Sequence, residues 1–169
     1  MRLENNTRTT APTCWILAYG NPQRGDDGIG PFVGEKLRRH FGNDDTVGIC
    51  TLPQLDMALL AEVQEADYLI FVDACKADKR KRNRNLKWSI IEPELNGWAI
   101  GSHHLAPRVF LGLLQLLYER RPMAWMVAVP GYRFGLQERL SLEARSGAER
   151  AAAQIVDWLW IHRIIERSM

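Results

Sequence analysis

Short apolar runs and amphipathic stretches alternate along this chain. Four runs have the length and continuous hydrophobicity typical of strands that are buried on both faces of a parallel sheet: residues 13–19, 46–51, 68–72 and 124–129. Three stretches have apolar residues at helical spacing: residues 29–41, 55–65 and 105–118. The chain therefore predicts strands and helices in alternation.

Two further elements are predicted near the end of this pattern. Residues 86–92 indicate a strand at the edge of the sheet, because polar residues interrupt its apolar positions. Ser146 and Glu149 have the spacing of a capping box, which predicts that the last helix begins there. Its apolar residues Ala152, Ile155 and Leu159 would share one face.

The alternation of strands and helices predicts an α/β fold. We expect a three-layer sandwich, with a twisted, mostly parallel sheet of about five strands and helices on both faces. Residues 1–12 are polar and form a predicted N-terminal tail, and residues 13–169 form a single predicted domain without repeats or a linker.

Composition and charge narrow the class of protein. The chain has 169 residues, of which 46% are hydrophobic and 25% are charged, so it can bury a core and is not disordered. A net charge of +2 does not favour nucleic acid as a partner. No window reaches the ~20 apolar residues of a membrane span, and residues 1–12 lack the apolar core of a secretory signal. We therefore expect a cytoplasmic protein with no membrane partner.

The cysteines point to a reducing compartment. Cys14, Cys50 and Cys75 are odd in number, and no CxxC spacing occurs. Each lies in or beside an apolar run, where free cysteine is usually a small buried hydrophobe. Neither a disulfide framework nor a zinc ribbon can be drawn from them.

Polar groups lie at three places where ligands of open α/β sheets could bind, two after predicted strands and one before a predicted helix. The loop over residues 20–30 carries Asp26 and Asp27, the third strand ends at Asp73, and His103 and His104 precede the helix at 105–118. If these loops converge, two carboxylates and an imidazole could hold zinc, nickel, manganese or iron with positions left open for water or substrate. The alternatives are a helix cap, a turn aspartate and surface histidines.

Nucleotide binding is a competing interpretation of the glycine-rich loop at residues 20–30. The loop lacks both the GxGxxG pattern and the Gly-Lys-Ser/Thr ending of a Walker loop. Asp26 and Asp27 would also repel a pyrophosphate. Gly25, Gly28 and Gly30 instead allow positive φ and close backbone approach, which can aim the two aspartates into a cleft.

The same residues resemble the hydrogenase maturation endopeptidases, which remove a C-terminal extension from the large subunit of nickel–iron hydrogenases after nickel insertion. The resemblance covers nearly the whole chain and rests on three segments in the same order: Gly20-Asn21 with Asp26-Asp27-Gly28-Ile29-Gly30, the FVDA segment that contains Asp73, and SHHLAP from Ser102. Gln54-Leu55 and Pro130-Gly131 are weaker signals of the same family.

The resemblance implies a site and a substrate. It implies that Asp27, Asp73 and His104 are the catalytic residues and the metal ligands, with the following residues in a supporting or alternative role: Asn21, Asp26 and His103. The implied metal is nickel, either bound by the enzyme or carried only by the substrate, and other divalent metals could substitute for it. The implied partner is a nickel–iron hydrogenase large-subunit precursor. No long apolar stripe demands a second copy, so we expect a monomer.

Two alternatives and one further surface stay open. A module that binds nickel or scaffolds hydrogenase assembly without cutting would use the same residues. A peptidyl-tRNA hydrolase-like enzyme shares the Gly-Asn-Pro segment, but that resemblance stops at Pro22. Beyond Asp73, a basic run is either a solvated loop or a docking arm for an acidic patch on the precursor; its central residues are Lys79, Arg80, Lys81 and Arg82.

Overall fold

Five strands and four helices make up the part of the chain that the computed structural model describes, namely residues 11–42, 44–77, 85–95, 105–162 and 164–165. The strands are β1 (Cys14–Tyr19), β2 (Val47–Leu52), β3 (Tyr68–Lys76), β4 (Lys87–Ile90) and β5 (Met123–Gly131). The helices are α1 (Ile29–Phe41), α2 (Leu59–Val63), α3 (Pro107–Tyr118) and α4 (Leu142–Ile161). A short 3-10 helix at Gly25–Gly28 leads into α1.

The strands form one sheet in the order β2-β1-β3-β5-β4. The first four of these strands are parallel, and β4 runs antiparallel to β5 at the edge. This sheet confirms the predicted α/β class, the count of about five strands and the edge position of β4. It also brings the carboxyl ends of β1, β3 and β5 side by side.

Helices cover both faces of the sheet. Buried residues of α1 and α4 pack on one face, against Ile16 and Ile70, and buried residues of α2 and α3 pack on the other, against Leu17 and Phe71. Successive strand residues point to opposite faces, so a strand covered on both sides has to be apolar throughout. This explains the continuous hydrophobic runs of β1 and β3.

Several predicted boundaries shift in the structure. β3 and β5 run past their apolar segments, because Asp73–Lys76 of β3 continue to pair in register with Ala128–Gly131 of β5. α2 is shorter than residues 55–65, since Asp56 accepts a hydrogen bond from the Ala58 N–H and forms a turn before the helix begins. Edge strand β4 likewise spans only part of residues 86–92.

The capping box predicted at Ser146 is wrong. Helix α4 begins at Leu142, and its cap is Ser141, whose side chain accepts a hydrogen bond from the Ala144 N–H. The residues between Ser141 and Ser146 contain no helix breaker, so the helix extends a turn further back. Ser146 lies inside α4, where its hydroxyl accepts a hydrogen bond from Arg150. The predicted apolar face is confirmed, because Ala152, Ile155 and Leu159 are all buried.

Three predicted segments lie wholly or mostly outside the described residues: the polar tail at 1–12, of which 11 and 12 are described, the basic run at 79–82, and the pair His103 and His104. Among the described residues, no helix is both long and apolar enough to cross a membrane.

Candidate functional site

The loop after β1 is held tightly against the sheet. Gly20 has a φ of 138°, and a Cβ atom there would clash with the carbonyl oxygen of Asp27. A Cβ on Gly30 would clash with the backbone of Tyr19, so the start of α1 packs directly on the end of β1. These two close approaches require glycine, and they fix Asp27 at the carboxyl end of β1.

Asp27 is half-buried and is anchored through one carboxylate oxygen. Its Oδ2 accepts a hydrogen bond of 3.1 Å from the backbone N–H of Asn21, at the start of the same loop. Asn21 also turns the loop, since its side-chain oxygen accepts a hydrogen bond from the Gln23 N–H. Asn21, to which the resemblance gives a supporting or alternative role, thus contacts Asp27 through its backbone N–H, while its side chain turns the loop.

Asp73 lies on β3 and is also half-buried. Burial raises the pKa of its carboxyl to about 6, the hydrogen bond from the Ala74 N–H lowers it in part, and the charge of Asp27 raises it further. β1 and β3 are neighbours in the sheet, and the backbone of Asp27 packs against Gly20 just after β1, so the two carboxylates lie at the same edge. The structure thus brings two of the three predicted ligands to one edge of the sheet, from segments 46 residues apart in the chain.

In each of these two carboxylates, one oxygen accepts a hydrogen bond from a backbone N–H. Asp73 Oδ1 accepts the 2.7 Å hydrogen bond from Ala74, as Asp27 Oδ2 does from Asn21. Within the described part of the chain, no hydrogen bond reaches Asp27 Oδ1 or Asp73 Oδ2. Two carboxylate oxygens that repel each other are a suitable donor set for a divalent cation, and they fit the oxygen half of the predicted ligand set.

Tyr19 is a residue of this site that the sequence analysis missed. Burial and the charge of Asp73 both raise the pKa of its phenol. In the register of β1 and β3, Ala18 pairs with Val72, so Tyr19 lies next to Asp73. The signal was available in the sequence, because Tyr19 ends one apolar run and Asp73 directly follows another.

Cys75, two residues beyond Asp73, is half-buried beside the same edge. Burial raises the pKa of its thiol, the nearby charge of Lys87 lowers it, and the charge of Asp73 raises it again. The net effect keeps the thiol protonated, so it is a poor nucleophile and a poor ligand in this state.

Asp26 is fully buried and points to a different set of partners from Asp27. Its carboxylate accepts hydrogen bonds from the backbone N–H groups of Tyr132, Arg133 and Ser141 and from the Ser141 hydroxyl. Burial alone would raise its pKa, but these hydrogen bonds outweigh burial and hold the pKa below its usual range. Ser141 was missed by the sequence analysis, since the contact spans 115 residues.

The predicted histidine ligand, His104, and its alternative, His103, lie outside the described residues. In the described part of the chain, no three His, Cys, Asp or Glu side chains are grouped so that they could hold a metal ion. The described half of the site is therefore a carboxylate pair, and the complete ligand set stays a prediction.

Comparison with known proteins bears on the fold. No family model and no curated protein matches the sequence. The structure is similar to the NiFe hydrogenase maturation protease HycI from Thermococcus kodakarensis KOD1, with 24% identity, a TM-score of 0.66, and coverage of 89% of this chain and 94% of that one. It is also similar to the hydrogenase maturating endopeptidase HybD from Escherichia coli, with 21% identity, a TM-score of 0.65, and coverage of 86% and 91%.

A third solved structure, the NiFe hydrogenase maturation protease HybD from Thermococcus kodakarensis, has 19% identity and a TM-score of 0.60 over 86% of this chain and 97% of that one. The chain thus has the fold of the hydrogenase maturation proteases over nearly their whole length. At these sequence identities the structural similarity establishes the fold. The resemblance seen in the sequence is therefore supported as a similarity of fold.

Proposed function

We propose that this chain is an endopeptidase that removes a C-terminal extension from a nickel–iron hydrogenase large-subunit precursor after nickel has been inserted. The observation that carries the proposal is the placement of Asp27 and Asp73 at the ends of the neighbouring strands β1 and β3, where the charge of Asp27 raises the pKa of Asp73. The pair lies in a fold shared with proteins named as maturation proteases. We further propose that the enzyme acts as a monomer in the cytoplasm.

In this proposal Asp27, Asp73 and His104 contact the nickel that the precursor carries, so the metal is part of the substrate. Asp27 Oδ1 and Asp73 Oδ2 are the carboxylate oxygens left for it, and His104 would add a nitrogen ligand. A divalent cation between the carboxylates would offset their mutual repulsion. The enzyme would therefore bind a loaded precursor more tightly than an empty one.

The chemistry proposed is addition of water to the scissile peptide bond. A carboxylate oxygen of the pair removes a proton from water, and the water oxygen forms a bond to the carbonyl carbon. The carbon–nitrogen bond then breaks, and the departing amine takes up the proton. A metal ion held by these residues would make bound water more acidic and would polarise a carbonyl oxygen.

The test is the intact mass of a purified large-subunit precursor after incubation with this protein. The precursor is supplied with and without nickel, and the variants are Asp27→Ala, Asp73→Ala and His104→Ala. Asp157→Ala is the matched control, because Asp157 is an exposed carboxylate near the far end of α4. We expect loss of a short C-terminal peptide only from loaded precursor, with the wild type and with Asp157→Ala.

Two other outcomes are informative. Cleavage that persists in Asp27→Ala and Asp73→Ala would mean that the activity is real and the proposed site is wrong. Binding of loaded precursor without any loss of mass would favour the module that binds or scaffolds without cutting.

The basic run of Lys79, Arg80, Lys81 and Arg82 is proposed as a docking arm for an acidic patch on the precursor. Replacing Arg80, Lys81 and Arg82 with Ser should raise KM for the precursor at low salt, where the attraction of opposite charges is strongest, and leave kcat unchanged. Equal KM values at low salt would show that the run does not dock the substrate.

A further inference from the structure

Asp26 connects two segments that are distant in the sequence. One segment is the loop that carries Asp27, and the other runs from the end of β5 to the cap of α4, residues 131–141. The Oδ2 atom of Asp26 accepts hydrogen bonds of 2.6 Å and 2.8 Å from the N–H groups of Tyr132 and Arg133, and of 2.8 Å from the Ser141 hydroxyl. Its Oδ1 atom accepts one of 2.7 Å from the Ser141 N–H.

Backbone hydrogen bonds join the same two segments. The Asp26 N–H donates to the Arg133 carbonyl at 2.8 Å, the Gly25 N–H donates to the Gln137 carbonyl at 2.7 Å, and the Gln137 N–H donates to the Gln23 carbonyl at 3.1 Å. The residue before Asp27 is therefore fixed through both its side chain and its main chain. Asp27 itself is held from the other side by the Asn21 N–H.

We propose that Asp26 is a positioning residue, which holds the loop against residues 131–141 and so sets the place of the Asp27 carboxylate relative to Asp73. The inference rests on the proposed function, because the reaction needs both carboxylates at one substrate. Asp26 does not touch the substrate. Its four hydrogen bonds hold the peptide that joins it to Asp27 in a single conformation. This matters because a catalytic carboxylate has to be held to within about 0.5 Å of its working position.

Asp26→Asn is a sharp test because it keeps the shape of the side chain and removes its ability to accept at one position. If the amide NH₂ takes the place of Oδ1, it faces the Ser141 N–H; if it takes the place of Oδ2, it faces those of Tyr132 and Arg133. The first orientation opposes one backbone donor and the second opposes two. Ser141→Ala removes only the hydroxyl, and Ser141→Thr keeps it.

The first readout is steady-state cleavage of the loaded precursor, at a temperature where each variant is folded by circular dichroism. We expect Asp26→Asn to lower kcat by about 10–100-fold with KM within about twofold, since misplacement by about 1 Å has an effect of that size. Ser141→Ala should lower kcat less, and Ser141→Thr should restore it. Ile155→Val, a buried change on α4, is the control for lost stability alone and should leave kcat unchanged.

The second readout is amide hydrogen exchange, which needs no activity. In Asp26→Asn we expect faster exchange at Asn21, whose N–H is bonded to Asp27, by about tenfold or more relative to Ile70 in the core. A purely local loss at residues 131–141 would leave Asn21 unchanged. If Asp26→Asn does not fold, Ser141→Ala supplies both readouts.

The outcomes distinguish a failure of the positioning role of Asp26 from a failure of the proposed function. Unchanged exchange at Asn21, together with a kcat that follows the folded fraction, would overturn the positioning role. A wild-type protein that does not cleave the precursor would overturn the proposed function, while exchange at Asn21 would still decide whether Asp26 positions Asp27.

Discussion

At the scale of single residues, Asp73 shows that this site is held at a cost in stability. Burial is the main reason why the pKa of its carboxyl is raised to about 6 in the folded protein. Folding therefore favours the protonated carboxyl, whereas in the unfolded chain the carboxyl is ionised at neutral pH. Above pH 6 the charged carboxylate therefore destabilises the folded state, and below about pH 4, where it is protonated in both states, it does not.

We predict that Asp73→Asn raises the free energy of unfolding at pH 7 by about 1–2 kcal/mol, allowing for partial exposure to solvent. At pH 4 the gain should be much smaller. Urea unfolding at the two pH values, in the presence of a chelator, measures it, with the exposed Asp157→Asn as the control. A loss of stability at pH 7 would contradict the assignment of a raised pKa.

A second residue-scale prediction concerns Gly30, where a Cβ would clash with the backbone of Tyr19. Gly30→Ala should cost about 1–3 kcal/mol or more, because α1 would have to move away from β1. Gly135→Ala is the matched control, since a Cβ there meets no atom within 4 Å in the described structure. Equal denaturation midpoints for the two variants would show that the close approach of Gly30 to Tyr19 does not affect the stability of the fold.

At the scale of elements, α4 gives a prediction that separates two serines one and a half turns apart. Ser141→Ala should destabilise the protein by about 2–3 kcal/mol, because it removes both the cap of α4 and a hydrogen bond to buried Asp26. Ser146→Ala should change stability by less than about 0.5 kcal/mol, since alanine suits a helix interior. Thermal unfolding of both variants measures the difference, and a larger loss for Ser146→Ala would restore the rejected capping box.

The elements also show where sequence analysis succeeds. Buried strands were predictable because burial on both faces leaves a continuous apolar run. The place of Asp73 on β3 was predictable as well, because Asp73 directly follows such a run. The full lengths of β3 and β5 were not, since their last residues are polar, small or proline and pair only because the neighbouring strand is present. Ser141 was not, because nothing local distinguishes its 115-residue contact with Asp26 from an ordinary cap.

At the scale of the whole molecule, buried Asp26 and half-buried Asp73 make the stability of the fold depend on pH in opposite directions. The pKa of Asp26 is lowered, so its contribution to stability is present above the usual aspartate value near 4 and is lost as the pH falls through the folded value. The contribution of Asp73 has the other sign, and it is lost as the pH rises from about 4 to 6.

We therefore predict that the wild type exceeds Asp26→Asn in unfolding free energy by a constant amount between about pH 5 and 7, and that this difference narrows below about pH 4. Chemical unfolding of both proteins across that range measures it. A difference that stays constant down to pH 3 would mean that folding does not lower the pKa of Asp26.

The long separations of the Asp26 contacts have a consequence for biosynthesis. The four groups that donate hydrogen bonds to the Asp26 carboxylate lie 106 to 115 residues further along the chain. A nascent chain that has emerged only as far as β3 already contains Asp27 and Asp73, but it lacks every group that holds Asp26. The loop can adopt its final form only after residues 132–141 have left the ribosome, so a shorter nascent chain would carry the two carboxylates without the arrangement that joins them.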